Sequence, residues 1–558
     1  NADFIDNSAG VDCSDKEVNI KIALNTELRD GNLKEDKRNA LLKSMTDAVS
    51  EIVLEDNRHQ ALGISIAEND GTEGLASYVR LIETFEGEGR LDRAVEGLPG
   101  NEELLRRGQD QEGMTRPELA VLLATGKLAL QDSIEGTVKL DDGSLDDELL
   151  SAFPEAMRKA HRDAILNHRL RGEIIATRIA NRMVNRLNII YPFELAEEEG
   201  ASPGDVANAF IVVERLFGLQ QLWDELDRTA MDEQARLDLF DMLAMAARSH
   251  IADLMRTDHA AKPIGEIVAQ LEEGVGKLTV DVDELLSDRA CEIASNQTEA
   301  MVAEGAPREL AEKVTHLYKA DGAIGIADLA RQREIPAREV GAAFIKVGDM
   351  LGLGWAQTTA NTMSPADPWE RLLAAGLARD FQQMRLDFLR RARSKDLAQF
   401  VDNWAQGREE RIAQFTQVDQ PVYPVQHMIG GDHRSQRPPA CALAASLLLT
   451  HHGRCSRCVE AGNPLGTRSD HPAFFQQPRP VLTPKWLYIG QAIRSRHNSP
   501  PRRPRNGRSS WQAGFRVALG LPFSREPAPG GGPRSRGPHC TTPARDRQVT
   551  GSRAPRPG

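Results

Sequence analysis

The chain has 558 residues and a formal net charge of −13, and its two parts differ in charge. Residues 1–420 carry 48 Lys and Arg against 77 Asp and Glu, whereas residues 421–558 carry 21 against 5. The acidic body argues against nucleic acid or an anionic membrane as its main partner. No apolar run approaches a membrane span. The body contains two cysteines, Cys13 and Cys291, which excludes a disulfide framework and indicates a reducing cytoplasm.

The first eighteen residues predict a strand, a tight loop and the start of a helix. Residues 4–5 (Phe-Ile) form a short apolar run of the kind that ends a buried strand. Residues 7–10 are small and suit a backbone that turns tightly or approaches a ligand. Ser14 and Glu17 have capping-box spacing before the apolar positions of a helix. In open α/β folds, ligands bind at strand ends beside helix N-termini, so this stretch is the candidate binding site.

Beyond this opening unit the apolar residues recur at helical spacing, and no strand-like alternation is sustained. Residues 115–118 (Thr-Arg-Pro-Glu) form a second capping box with proline in the first turn. The longest helical tract is predicted at residues 154–188. Other tracts are predicted at 36–67, 75–86, 91–98, 204–228, 231–256, 262–274 and 281–303, and helices continue to about residue 415. This pattern predicts an all-helical domain of many antiparallel segments.

The composition changes around residues 416–430. Twenty of the thirty prolines follow Gln420, and Arg replaces Lys almost completely. One interpretation of residues 416–558 is a basic, disordered segment that binds nucleic acid. The favoured one is out-of-frame translation of a GC-rich gene, which yields Arg, Pro, Gly, Ser and His. We therefore interpret this low-complexity segment as a disordered or out-of-frame, non-native tail.

The opening stretch resembles the glutamate dehydrogenases. These enzymes carry Asn-Ala-Gly-Gly-Val-Thr-Val-Ser-Tyr-Phe-Glu near the end of their nicotinamide-binding domain, and residues 7–17 align with it without a gap. Asn7, Gly10, Val11, Ser14 and Glu17 match. The sequence of residues 6–22 is similar to that of the large bacterial NAD-specific glutamate dehydrogenases. Further segments that resemble this family occur up to about residue 415.

The resemblance implies a mainly α chain that begins with the end of a Rossmann-like α/β nucleotide-binding domain. That end is placed at residues 1–30, and a multi-helix C-terminal domain follows at residues 31–415. The chain is thus expected to be a C-terminal fragment, inactive by itself. The catalytic lysine and aspartate of the family are expected upstream of residue 1, so no catalytic residue is assigned here.

The reaction implied by the resemblance is the NAD-linked oxidative deamination of L-glutamate to 2-oxoglutarate and ammonia. Asn7 and Gly10 match the cofactor-binding positions, and Ser14 matches the serine that meets the distal carboxylate of glutamate. The alternatives are that Asn7 only tolerates the turn and that Ser14 only caps its helix. Glu17 is interpreted as structural.

The remaining predictions concern partners and other polar residues. The intact enzyme is expected to be a cytoplasmic homo-oligomer with no nucleic-acid or membrane partner, and no metal site is assigned. His161 and His168, seven residues apart, are interpreted as part of a solvated or paired helix face, and His59 as a satisfied polar residue at a packing surface. A non-enzymatic helical interaction or assembly module remains the alternative function.

We expect limited proteolysis to trim the chain to a resistant body that ends near residue 415. The reason is that residues 421–558 lack a periodic apolar pattern from which a core could form. The products are identified by intact mass and N-terminal sequencing. Protection that extends through residues 480–520 would contradict the interpretation of the tail.

Overall fold

The computed structural model describes residues 8–259, 262–286, 288–361, 363, 368–408 and 412. All regular elements in these ranges are helical, and none of the described residues forms a strand. The prediction of a mainly α chain is confirmed. The predicted strand at residues 4–5, Asn7 and the segment after residue 421 lie outside the described residues. No helix of the described part is long and apolar enough to cross a membrane.

Twelve helices are described in the first 200 residues. A π-helical turn, Ser8–Asp12, leads into the first of them, and a 3-10 turn, Gly143–Leu145, precedes the eighth. The bounds are α1 Cys13–Arg29, α2 Glu35–Ser44, α3 Thr46–Asn69, α4 Leu75–Gly87, α5 Arg93–Glu96, α6 Asn101–Gln109, α7 Arg116–Thr137, α8 Asp146–Ser151, α9 Glu155–Ala160, α10 Arg162–Leu166, α11 Arg171–Leu187 and α12 Tyr191–Glu199.

Twelve further helices are described between residues 203 and 405. They are α13 Pro203–Phe217, α14 Leu219–Arg228, α15 Glu233–Met255, α16 Ile264–Val280, α17 Val282–Leu285, α18 Asp288–Ala303, α19 Arg308–Lys319, α20 Ala323–Arg333, α21 Ala337–Leu351, α22 Leu353–Asn361, α23 Pro368–Arg390 and α24 Leu397–Ala405. In the first half α3, α7 and α11 pack against one another, and in the second half α21 contacts α20, α22, α23 and α24.

The α13 helix is apolar around most of its circumference and lies at the centre of the fold. Such a helix is stable only when other elements surround it, and α13 contacts α7, α11, α15 and α16. Its crossing with α7 is close at Gly204, where a Cβ atom would overlap the carbonyl oxygen of Ser133. Its buried apolar residues occupy nearly successive positions: Val206, Ala207, Ala209, Phe210, Ile211, Val212 and Val213.

Local sequence signals are confirmed where they depend on neighbouring residues alone. Glu118 accepts the backbone N–H of Thr115 at 2.8 Å and closes the predicted capping box of α7. The apolar stripe predicted in the second half of the 154–188 tract is also buried, with Ile175, Ile179 and Met183 fully inaccessible. This stripe faces α3 and α7.

Four of the predicted helical tracts are interrupted. The 36–67 tract divides at Met45 into α2 and α3, and the 281–303 tract divides into α17 and α18. The 154–188 tract divides into α9, α10 and α11, with breaks at His161 and at residues 167–170. At the second break the Nδ1 atom of His168 accepts the backbone N–H of Leu170 at 3.1 Å, so a side chain replaces a helical acceptor. The predicted 204–228 helix divides at Gly218, whose φ of 62° ends α13 in the left-handed conformation.

A buried charge cluster joins α8, α11 and α13. The guanidinium of Arg182 on α11 donates to Glu148 at 2.7 Å and to Glu214 at 2.8 Å. Burial alone would lower the pKa of Arg182, but the two carboxylates raise it above its usual value. The cation is therefore charged in the interior and depends on both partners.

Asp253 of α15 is a second buried carboxyl group. It accepts the backbone N–H of Gly325 at 3.0 Å, at the start of α20. Burial raises the pKa of Asp253 to about 7. The unfolded chain has the ordinary aspartate pKa of about 3.9. The folded state consequently keeps a proton that the unfolded state loses between about pH 4 and pH 7.

We predict that Asp253→Asn stabilises the protein more at pH 8 than at pH 5. The wild type loses stability as the pH rises through this window, by about 1.4 kcal/mol for each unit of pKa difference. The asparagine cannot ionise and keeps an oxygen for Gly325. The measurement is the melting temperature of both proteins at the two pH values. The control is Glu272→Gln, at an exposed position of α16. An equal effect of Asp253→Asn at both pH values would show that burial does not raise the pKa of Asp253.

Candidate functional site

The candidate substrate residue Ser14 lies in the first turn of α1 and is exposed. It is not the N-cap, so the predicted capping box with Glu17 is wrong. The N-cap position belongs to Asp12, which already has helical φ and ψ of −69° and −43°, and no side chain caps the helix. The turn at residues 8–12 continues the helix backwards and removes the need for a capping hydroxyl. Glu17 instead pairs with Lys21, with 2.5 Å between Oε1 and Nζ.

Gly10, the predicted cofactor residue of the described stretch, is exposed in the π-helical turn rather than in a tight loop. Its φ is not among the positive values of the chain, so the fold does not require glycine there for backbone reasons. The other predicted cofactor residue, Asn7, lies outside the described residues. The structure therefore brings Gly10 and Ser14 together on adjoining turns.

The exposed face of α1 combines a hydroxyl with apolar side chains. Val11 and Val18 are 66% and 47% exposed, and they lie three residues before and four residues after Ser14. This spacing places Ser14 and Val18 on one face of α1, and Val11 lies in the π-helical turn that precedes the helix. A hydroxyl between two apolar side chains suits a ligand that has an aliphatic chain and a polar end.

A charge cluster lies at the same end of α1. The ammonium of Lys16 is 3.3 Å from Asp12 Oδ1 in the preceding π-helical turn and 3.0 Å from Asp56 Oδ2 in α3. Burial acts to lower the pKa of Lys16, but the charges of Asp56 and Asp12 raise it. Burial raises the pKa of Asp12.

Lys127 of α7 adds a second amine to this cluster. Its ammonium donates to Gln60 Oε1 at 3.3 Å. Burial lowers the pKa of Lys127 to about 7, although the charges of Asp56 and Asp12 act in the opposite direction. The cluster thus contains one lysine that stays charged and one that titrates near neutral pH.

Two histidines hold the rest of α1. The Nε2 atom of His168 donates to the backbone oxygen of Asn19 at 3.1 Å, and His161 Nδ1 lies 2.7 Å from Glu27 Oε2. Burial lowers the pKa of His168, in keeping with a neutral ring that donates at Nε2 and accepts at Nδ1. The prediction that both lie on one helix face is wrong, because each lies at a break between helices. Their paired state is confirmed.

His59 is a satisfied polar residue at a packing surface, as predicted. Its Nε2 atom accepts from Arg186 at 2.9 Å. Arg186 also makes two hydrogen bonds with Asp227, and its guanidinium lies 5.4 Å from the ring centre of Phe240. Arg186 therefore has a structural role in joining α3, α11 and α14.

Sequence reasoning missed the cluster formed by Lys16, Asp56 and Lys127. The spacing of Asp12 and Lys16, four residues apart, was a usable signal. Asp56 and Lys127 come from other helices and could be placed only by the fold. Among the described residues, no group of three or more His, Cys, Asp or Glu is arranged to hold a metal ion.

Comparison with known families divides the chain into two matched parts. Residues 111–423 match the family model for the glutamate dehydrogenase C-terminal region. Residues 1–67 match the model for the catalytic domain of bacterial NAD-glutamate dehydrogenase. The second match contains Asn7, Gly10 and Ser14, together with Lys16 and Asp56.

Three relatives carry the name NAD-specific glutamate dehydrogenase. The protein of Halomonas elongata is 33% identical over 419 residues, which cover 72% of this chain and 25% of that protein. That of Pseudomonas aeruginosa is 34% identical over 407 residues, with 72% and 25% covered. That of Mycobacterium tuberculosis is 31% identical over 385 residues, with 68% and 23% covered.

The matched part of the chain thus spans about a quarter of the length of these relatives. The C-terminal family model covers more than half of the chain itself. The chain belongs to the glutamate dehydrogenase family that shares this C-terminal region.

Proposed function

We propose that this chain is part of an NAD-specific glutamate dehydrogenase. The whole enzyme would catalyse the oxidative deamination of L-glutamate to 2-oxoglutarate and ammonia. The observation that carries the proposal is the exposed Ser14 on the first turn of α1, within residues that match a glutamate dehydrogenase catalytic domain. That match favours an enzyme over a helical assembly module without a ligand.

The domain organisation follows from the same proposal. Residues 1–30 would form the end of a Rossmann-like nucleotide-binding domain, with α1 as its last helix. Residues 31–415 would form the helical C-terminal domain, and residues 416–558 a non-native tail. The packing of α1 against α3 and α10 supports a close association of the first two parts.

Ser14 would bind the distal carboxylate of glutamate. Its hydroxyl is a donor that does not cap α1, so it is available to an acceptor at the exposed face. The exposed side chains of Val11 and Val18 would contact the aliphatic part of the substrate. Together they orient the substrate so that its Cα is presented to the cofactor.

Asn7 and Gly10 would hold NAD. When bound, the nicotinamide supplies the hydride chemistry, which no protein side chain can provide. The exposed backbone of Gly10 fits this role because a residue without a side chain lets a cofactor approach closely. An asparagine amide at position 7 can both donate to and accept from a carboxamide or a ribose hydroxyl.

The remaining parts of the proposal concern the intact enzyme. Its proton-transfer residues are proposed to lie outside this chain, because no lysine or aspartate here matches them by motif. The enzyme is proposed to be a cytoplasmic homo-oligomer. The scarcity of cysteine in the helical body is in keeping with this compartment.

The proposal predicts that Ser14→Ala in the intact enzyme lowers specificity for glutamate. The change removes a hydrogen bond to a charged group, worth ~1.5–3 kcal/mol. The ratio of kcat/KM for glutamate to that for norvaline, which lacks the distal carboxylate, should therefore fall ~10-fold or more. Because Ser14 is not an N-cap, the melting temperature should change little.

Two variants serve as controls for this measurement. Ser50→Ala replaces another exposed helical serine, on α3, and should leave the ratio unchanged. Asn7→Ala should raise the KM for NAD and also leave the ratio nearly unchanged. A Ser14→Ala ratio within about twofold of the wild type would show that Ser14 does not bind the carboxylate.

A further inference from the structure

We propose that Asp56 is a positioning residue for the substrate site. Through Lys16 it holds the first turn of α1 against α3 and so fixes the position of Ser14. This inference rests on the proposed function of Ser14. It assigns a role in the reaction to a residue of α3 that matches no part of the loop motif at residues 7–17.

The geometry of the contact places Lys16 between two carboxylates. Its ammonium lies 3.0 Å from Asp56 Oδ2 and 3.3 Å from Asp12 Oδ1. Asp12 and Lys16 lie two residues before and two residues after Ser14. Residues two apart on a helix point about 200° apart, so both charged side chains face away from the Ser14 side. The Lys16–Asp56 ion pair therefore holds the side of this turn opposite Ser14 and leaves the Ser14 hydroxyl exposed.

Within α1, apolar packing begins only after the first turn, and the π-helical turn before it also contacts α3. The buried residues of α1 are Ile20, Ala23 and Leu24, all in its second and third turns. Among the described residues of the first turn, none is fully buried. Lys16 is thus the side chain through which this turn is tied to α3 by an ion pair.

The environment makes the contact stronger than an ordinary surface ion pair. The side chains of Lys16 and Asp56 are 20% and 31% exposed, so water screens them only partly. The shared ammonium also neutralises Asp12. Loss of Asp56 would leave Lys16 paired with Asp12 alone. The first turn of α1 would then lose its ion pair with α3 and be free to shift.

The ion pair matters for the reaction because it fixes the position of the proposed binding group, Ser14. A binding group must be held within a fraction of an ångström, and a displacement of about 1 Å can cost a large factor in rate. His168 and His161 fix α1 from Asn19 onwards. Asp56 supplies the corresponding constraint at the end that carries Ser14.

The test uses the intact enzyme with Asp56→Asn, which removes the charge and keeps the shape. We expect the glutamate-to-norvaline ratio of kcat/KM to fall ~5-fold or more, mainly through KM for glutamate. We also expect faster amide hydrogen exchange in residues 13–18 of the ligand-free enzyme. Asp56→Glu should restore part of both properties, because a carboxylate is again within reach of Lys16.

The matched control is Glu68→Gln on the same helix. Glu68 forms an ion pair with Arg116 of α7, with 2.6 Å between Oε2 and Nη1, and does not contact α1 through it. This variant removes an interhelical pair of α3 and should leave both the substrate ratio and the exchange of residues 13–18 unchanged. An equal effect of the two variants would mean that Asp56 acts only through general stability and would overturn the proposal.

A double-mutant cycle with Lys16→Met separates the pair from other effects of Asp56. If Asp56 acts through Lys16, the double variant should be no worse than the more impaired single variant. Fully additive effects of Asp56→Asn and Lys16→Met would overturn the proposal. It would also be overturned if Asp56→Asn changed neither the amide exchange of residues 13–18 nor the glutamate-to-norvaline ratio of kcat/KM. If Asp56→Asn speeds the exchange while Ser14→Ala leaves the ratio unchanged, the anchoring is upheld and the proposed role of Ser14 fails.

Discussion

The described fold depends on the ion pairs of the buried Arg182 guanidinium, which tie α11 to two other helices. A cation in the interior must keep its partners, since removal of one partner from a buried pair costs on the order of 3–5 kcal/mol. Its partners Glu148 and Glu214 lie on α8 and α13. By fixing α8 against α11, this cluster also sets the position of α10, which packs on α8 and on α1. The geometry of the candidate site thus follows from a charge placed deep in the helical body.

The two parts of the chain that match different family models are joined by this packing. The helix with Ser14 belongs to the part that matches the catalytic domain, whereas His161 and His168 belong to the part that matches the C-terminal region. Each histidine makes a polar contact with α1. The region that matches the C-terminal model therefore packs directly against α1, the helix that carries Ser14, and helps to hold it in place.

Sequence reasoning succeeded where the cause of a structure was local. The stripe of α11 and the Thr115–Glu118 box depend on residues three or four apart, and both are present. It failed at Ser14, because the helix begins earlier than the box predicts. It also failed at His168, where contacts with distant residues interrupt a helix that periodicity alone would continue. The strand at residues 4–5 and the tail stay predictions.

The separation of α1 from its partners along the chain has a consequence for how the protein is made. Glu27 and His161 are 134 residues apart, and Asn19 and His168 are 149 apart. Ribosomes add about 5–20 residues each second, so α1 waits roughly seven to thirty seconds before these contacts can form. During that interval its apolar residues must be kept from other surfaces. The Ser14 helix is therefore synthesised before the two histidines that bind it, and it reaches its final contacts only after they have been added.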